Sequence, residues 1–140
     1  MMKQVTDKLW ISGQPSDADL VAAGGAGIRK IINNRPANEE PGQATMSEAA
    51  DRAGQLGMEF VNIPVAPGRY SLEAVRAFQA AVADAGGPVL AHCKSATRSL
   101  SLWAIGEVLD GRLDTGDLDG LGSRLGINLA GAKDWLRDNS

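Results

Sequence analysis

Short apolar runs and longer segments with apolar residues at helical spacing follow one another along this chain. Runs typical of β-strands occupy residues 5–12, 28–33, 58–65 and 88–91. Helical spacing marks residues 17–23, 46–56, 72–85 and 99–109. The remaining segment, 110–140, is interrupted by glycines and predicts further helices that cover the sheet.

Polar side chains mark where three of these helices begin. Ser16 and Ser71 are predicted N-caps, and Thr45 with Glu48 three residues later forms a predicted capping box. Gly57 follows the second helix and suits the left-handed conformation that ends many helices. The helix boundaries are therefore better defined by the sequence than those of the strands.

The order of these elements predicts the fold. Strands alternating with helices require a largely parallel sheet with helices on both faces, and 140 residues fit one α/β domain over 1–140. The mixed run 5–12 is typical of an edge strand, whereas the wholly apolar run 88–91 predicts a central strand. A long polar loop is expected over 34–44. Residues just after 91 then lie at a carboxyl end of the sheet, where open α/β folds bind ligands.

Composition limits the classes of partner and site. A net charge of −3 argues against binding to nucleic acid or to an anionic membrane surface. The sequence contains no run typical of a signal peptide or a membrane span, so a cytoplasmic location is expected. A single cysteine excludes an internal disulfide. His92 and Cys93 are adjacent and would point to opposite faces of a strand, so neither a metal nor a cofactor is expected.

One loop carries a reactive side chain. Cys93 follows the central strand, Arg98 lies beyond four intervening residues, and a helix begins there. Such a loop directs backbone N–H groups inward, and the helix N-terminus adds positive charge, so residues 93–98 predict an anion site. The same field favours the thiolate form, which makes Cys93 a predicted nucleophile. The alternative is that Cys93 is a small buried core residue, as most free cysteines are.

The side chains near Cys93 supply the other predicted contacts. Arg98 is suited to bidentate binding of a tetrahedral oxyanion, and Ser99 can donate a hydrogen bond that eases departure of the thiolate. Cys93, Arg98 and Ser99 are therefore the predicted catalytic residues. The predicted substrate-binding residues are Lys94, Ser95, Ala96 and Thr97 in the loop, Arg69 after the third strand, and Asn34 and Arg35 after the second.

The loop His92-Cys93-Lys94-Ser95-Ala96-Thr97-Arg98-Ser99 resembles those of the cysteine-dependent phosphatase and rhodanese superfamilies. Together with the motifs at 4–6, 10–14, 31–36 and 39–43, it makes about residues 3–110 similar to the beta-lactamase-hydrolase-like family. This resemblance implies a fold like that of protein tyrosine and dual-specificity phosphatases, in a family that is also described as sulfurtransferase. It also implies a partner, because in this family the domain can be joined to a dioxygenase domain that this chain lacks.

The chain departs from phosphatases of that fold in two ways that bear on the reaction. Those phosphatases have five residues between cysteine and arginine, whereas this loop has four, as in rhodaneses. The resemblance also implies glycine at position 96, and alanine resists the positive φ that a tight loop requires.

The expected general acid is also missing from the sequence. Phosphatases supply an aspartate from the loop after the third strand, yet residues 66–70 contain no carboxylate. Glu39, Glu40 and Glu73 could substitute for it, although they are more simply interpreted as solvated charges.

Three functional hypotheses follow from these residues. The leading one is a sulfurtransferase in which Cys93 takes sulfur from thiosulfate or a persulfide and passes it to an external thiol, with a separate persulfide dioxygenase as a partner. The second is a phosphatase that forms a phosphocysteine on a phosphate ester. The third is an anion-binding module without catalysis.

Overall fold

The computed structural model describes residues 2–139 and folds them around one sheet. Its strands lie in the order β1-β2-β5-β3-β4, and all neighbours are parallel except β1 and β2. The predicted α/β class with a largely parallel sheet is confirmed. The strands are β1 (Lys3–Gln4), β2 (Leu9–Ser12), β3 (Lys30–Asn33), β4 (Glu59–Asn62) and β5 (Val89–His92).

The helices begin where the capping residues predict. Ser16 and Thr45 each form a capping box, Ser71 accepts a hydrogen bond from Ala74, and Gly57 has a φ of 79°. The helices are α1 (Asp17–Gly25), α2 (Met46–Gln55), α3 (Leu72–Ala83), α4 (Thr97–Leu109), α5 (Asp117–Leu125) and α6 (Ala130–Asp138).

The prediction that the first apolar run forms an edge strand is wrong. Only residues 9–12 of that run form a strand, and β2 lies inside the sheet because the two-residue β1 pairs antiparallel with its outer side. The outer strands are therefore β1, with both residues exposed, and β4, whose terminal residues Glu59 and Asn62 are exposed.

Two hydrophobic cores lie on opposite faces of the sheet, and side chains of β5 alternate between them. Val89 and Ala91 pack into the larger core, which also contains residues of α3, α4, α5 and α6. Leu90 packs into the smaller core with residues of α1 and α2. By the same alternation, the side chain of Cys93 lies on the face of the sheet that bears the larger core, and that of His92 lies on the face that bears the smaller core.

The register brings the carboxyl ends of three strands together. His92 pairs with Ser12 of β2 on one side and with Asn33 of β3 on the other. The loops that begin at Gly13, Cys93 and Asn34 consequently leave the same edge of the sheet. In the described part of the chain, no helix has the length and apolar character needed to cross a membrane.

Candidate active site

Residues 93–98, for which the sequence predicts an anion site, connect β5 to the first turn of α4, and we call this loop the cradle. The Cys93 side chain is fully buried, and α4 begins four residues later at Thr97. Ala96 precedes this helix in the left-handed conformation, with a φ of 72°, and no side chain caps the helix. The first turn of α4 therefore carries uncapped N–H groups and the positive end of the helix dipole.

Gly13 supports this cradle from the end of β2. It forms an isolated bridge with Ser95, and the N–H group of Gln14 donates to the carbonyl of Lys94 at 3.3 Å. A Cβ atom at position 13 would lie only 2.8 Å from that carbonyl oxygen, so the close approach requires glycine. Sequence reasoning placed Gly13 in a turn but did not find this role.

Arg98 lies in the first turn of α4 with its guanidinium group held by two other segments. Nη1 donates to the carbonyl of Val65 at 2.9 Å, and Nη1 and Nη2 donate to the Glu39 carboxylate at 2.7 and 2.9 Å. Burial lowers the pKa of Arg98, but the Glu39 carboxylate and the Cys93 sulfur outweigh it, so the net direction is upward. Arg98 therefore keeps its charge beside Cys93, as the sequence predicts.

Glu39 and Glu40 are both paired with cations, but only Glu39 is largely shielded from solvent, with 17% of its side chain exposed against 42% for Glu40. Arg35, whose side chain is 3% exposed, donates from Nε to Glu39 at 2.9 Å and from Nη2 to Glu40 at 2.5 Å. Lys94 Nζ lies 3.4 Å from the other oxygen of Glu40. Both carboxylates thus bind cations at or beside the cradle. Sequence reasoning missed this role because Arg98 and Lys94 are distant from the glutamates along the chain, and Arg35, although only four and five positions away, precedes them in a predicted loop where spacing indicates no contact.

The cations keep both glutamates ionised. Hydrogen bonds from Arg98 and then from Arg35 lower the pKa of Glu39 to about 2, against the burial that raises it. Hydrogen bonds from Lys94 and Arg35 lower the pKa of Glu40. In this conformation neither carboxyl group holds a proton near neutral pH, so neither can act as a general acid. Glu73, the third candidate, is exposed in the first turn of α3.

Asn34 and Ser99 bind each other instead of facing an open site. The Ser99 hydroxyl donates to Asn34 Oδ1 at 2.7 Å, and Asn34 Nδ2 donates to the carbonyl of Ile63 at 2.8 Å. Both side chains are fully buried. They join the end of β3 to the helix turn that carries Arg98, which is a positioning contact, and their predicted roles at the ligand and the thiolate stay predictions.

The other predicted contacts surround the cradle at different depths. Lys94 and Ser95 are exposed, Thr97 is half-buried, and Ala96 is buried. Arg69 is exposed in a turn in which its N–H group donates to the carbonyl of Ala66. Arg69 is therefore the one predicted ligand contact that the described residues do not tie to the cradle by a hydrogen bond or ion pair.

Two further ring side chains lie close to the site. Tyr70 is buried at the end of the loop that lacks a carboxylate; burial raises the pKa of its hydroxyl group, and the nearby Cys93 sulfur adds to the rise. His92 is buried behind Cys93, and burial lowers its pKa to about 4, so the imidazole is neutral. Its Nδ1 has no hydrogen-bond partner among the described residues.

The chain is similar to known proteins over nearly its whole length. Residues 1–110 match the phosphatase-like domain of the beta-lactamase hydrolase-like proteins. A beta-lactamase hydrolase-like protein of Agrobacterium fabrum is 41% identical over 137 residues, which are 98% of this chain and 32% of that protein. One from Xylella fastidiosa is 38% identical over 95% of this chain and 31% of its own length. This chain thus spans about a third of the length of these relatives.

Two solved structures have the same fold over nearly the whole of this chain. A crystal structure of a candidate phosphatase from Neisseria meningitidis aligns with a TM-score of 0.86 at 28% identity and covers 98% of this chain and 96% of its own. The active form of Tk-PTP aligns with a TM-score of 0.71 at 18% identity and covers 99% of this chain and 94% of its own, which shows a shared fold alone. The phosphatase-like fold implied by the sequence resemblance is confirmed.

Proposed function

Because this chain belongs to the phosphatase-like domain family of the beta-lactamase hydrolase-like proteins, we propose that it is a cysteine-dependent phosphatase. The observation that carries this proposal is the placement of Cys93 at the end of β5, with Arg98 in the first turn of α4. The sulfurtransferase expected from the loop length finds no support in the comparisons, which give a phosphatase-like domain family and a structure described as a candidate phosphatase.

The proposed reaction begins with attack of the Cys93 thiolate on the phosphorus atom of a bound phosphate ester. An S–P bond forms while the P–O bond to the leaving group breaks, and the leaving oxygen takes the electron pair. Arg98 and the N–H groups at the start of α4 bind the non-bridging oxygens, where negative charge must be stabilised. Water then cleaves the phosphocysteine, which releases phosphate and regenerates the thiolate.

The leaving group is the point at which this site differs from an enzyme with a carboxylic acid catalyst. Residues 66–70 contain no carboxylate, and Glu39 and Glu40 are ionised by their partners. The site therefore favours substrates whose leaving group departs as a stable anion. Hydrolysis rates should therefore differ among substrates according to the acidity of the leaving group, which can be measured directly.

The test is hydrolysis of a series of aryl phosphates whose phenols differ in acidity. We expect turnover that is lost in Cys93→Ser and Arg98→Lys, with rates that fall steeply as the leaving phenol becomes less acidic. Lys133→Gln is the control, since Lys133 pairs with Asp119 on the surface. Full turnover by Cys93→Ser, or no turnover by the unaltered protein, would overturn the proposal.

Sulfur transfer remains a second candidate because the same absence of a protonated carboxylate suits it. Attack of Cys93 on a sulfane sulfur expels sulfite or a thiolate, which needs no acid. Mass spectrometry after treatment with thiosulfate would detect one added sulfur on Cys93 that an external thiol removes. An unchanged mass would exclude this candidate. The external thiol, the persulfide dioxygenase partner and the single domain over 1–140 remain predictions.

A further inference from the structure

The segment 37–44 reaches the cradle through two neighbouring carboxylates. Among the described residues, its hydrogen bonds and ion pairs to Arg98, Arg35 and Lys94 all come from Glu39 and Glu40. The other hydrogen bonds of the segment stay between residues 36 and 43. Charge is therefore the main polar link between this segment and the cradle.

The three cations define two adjacent places for negative charge. In the first anion position, the Glu39 carboxylate binds both Nη atoms of Arg98 and Nε of Arg35. In the second anion position, the Glu40 carboxylate lies between Nη2 of Arg35 and Nζ of Lys94. The positions share the guanidinium group of Arg35, so two groups that fill them must be only a short bridge apart.

Building on the proposed phosphatase, we infer that its substrate carries two anionic groups joined by a short bridge, which displace Glu39 and Glu40 together. The simplest such substrate is a diphosphate. The reacting phosphate takes the first anion position beside Arg98 and Cys93, and the second phosphate takes the position between Arg35 and Lys94.

Burial of the nucleophile agrees with such a displacement. Cys93 is fully buried, so an anion reaches the sulfur only after a neighbouring group moves, and Glu39 already occupies the guanidinium group of Arg98. A single phosphate can replace Glu39 but leaves Glu40 bound to Arg35 and Lys94. Two linked anions replace both carboxylates, and binding of the second group is then intramolecular.

The leaving group of a diphosphate also fits the absence of a carboxylic acid. When the Cys93 thiolate attacks the terminal phosphorus, the S–P bond forms, the bridging P–O bond breaks, and the electron pair leaves with the inner phosphate. In a diphosphate ester the inner phosphate leaves as a phosphate monoester, whose second pKa is about 6, so its oxygen departs as a stable anion without prior protonation. Hydrolysis of the phosphocysteine by water completes the cycle.

Binding to the Cys93→Ser protein tests the inference without catalysis. We expect calorimetry to show inorganic diphosphate binding at least about tenfold more tightly than inorganic phosphate at the same ionic strength. Lys94→Gln in the same background removes a cation from the second position and should reduce the ratio of the two affinities severalfold. Lys133→Gln makes the same change in net charge away from the site and should preserve the preference.

The outcomes separate this inference from the proposed function. Equal affinity for the two anions, or a preference that Lys94→Gln does not reduce, overturns the two anion positions; Cys93-dependent hydrolysis of aryl phosphates would then still support a phosphatase. If the protein prefers diphosphate in a way that depends on Lys94 but hydrolyses no phosphate ester, the two anion positions are supported and the proposal that the protein is a phosphatase is overturned.

Discussion

The ion pairs of Glu39 make the stability of this domain depend on pH, and Glu39→Gln isolates their contribution. The pKa of Glu39 lies at about 2 in the folded protein against an ordinary value of 4.5, mainly because Arg98 donates hydrogen bonds to it. At about 1.4 kcal/mol per pKa unit, this difference corresponds to about 3 kcal/mol. The side chain is 17% exposed, and screening by solvent reduces the expected contribution to about 1–2 kcal/mol.

The sign of the effect follows from which state binds the proton first. As the pH falls below 5, the unfolded chain takes up a proton at Glu39 while the folded protein does not, so the free energy of unfolding decreases. The contribution is complete above about pH 5 and is lost as the pH approaches 2. More than half of it is gone at pH 3. Other carboxylates with lowered pKa values are present in both proteins and cancel in the comparison.

The assay is urea unfolding of the unaltered protein and of Glu39→Gln at pH 7 and pH 3, at one ionic strength. We expect the variant to be less stable at pH 7 and the gap between the two proteins to narrow by about 1 kcal/mol at pH 3. Glu73→Gln removes an exposed carboxylate from α3 and should leave the gap near zero at both values. A gap for Glu39→Gln that stays the same size from pH 7 to pH 3 would refute the reasoning.

Three further predictions test the surroundings of the cradle, two of them with a matched control substitution. Gly13→Ala should lower kcat/KM of the hydrolysis at least about tenfold without unfolding the protein, because the added Cβ would lie 2.8 Å from the carbonyl oxygen of Lys94. Gly25→Ala is the control and should have no effect, since there is open space around Gly25. Equal rates for the two variants would contradict the close approach at Gly13. Ser99→Ala should cost about 1–3 kcal/mol in urea unfolding by leaving a buried amide oxygen unpaired. Ser101→Ala is the control and should lower the free energy of unfolding less, since the Ser101 hydroxyl, which lies near Tyr70, makes no hydrogen bond of regular geometry among residues 2–139. A larger loss of stability for Ser101→Ala than for Ser99→Ala would contradict the importance of the Ser99–Asn34 hydrogen bond. Burial lowers the pKa of His92 to about 4, so the unfolded chain binds a proton at this residue first as the pH falls from 6.5, and the free energy of unfolding decreases. His92→Gln should therefore make the free energy of unfolding depend less on pH between 6.5 and 4. An unchanged pH dependence would show that it does not come from His92.

The sequence predicts those features that depend on neighbouring residues. Ser16 and Thr45 mark helix starts because the capping box is a local pattern of hydrogen bonds, and both boxes are present. The strand-loop-helix around Cys93 was likewise predictable, because an apolar run, a short polar loop and a helical segment follow one another directly. The positive φ at Ala96 follows from the tightness of the same loop.

Contacts between distant segments escape such reasoning. Glu39 lies 59 positions from Arg98 and Asn34 lies 65 from Ser99, so no spacing in the sequence links these pairs. A buried arginine needs a carboxylate partner, but which carboxylate lies next to it is decided only when the chain has folded. Strand β1 was missed for another reason, since two polar residues carry no detectable period.

The two outer strands of the sheet bear on the behaviour of this domain in concentrated solution. An outer strand with unpaired backbone groups is a template for pairing with another molecule, and proteins prevent this with short strands and charged side chains. Here β1 has two residues, Lys3 and Gln4, and the four-residue β4 begins and ends with the exposed side chains of Glu59 and Asn62. Neither edge offers a second copy a long apolar row, so we expect this domain to resist edge-to-edge aggregation.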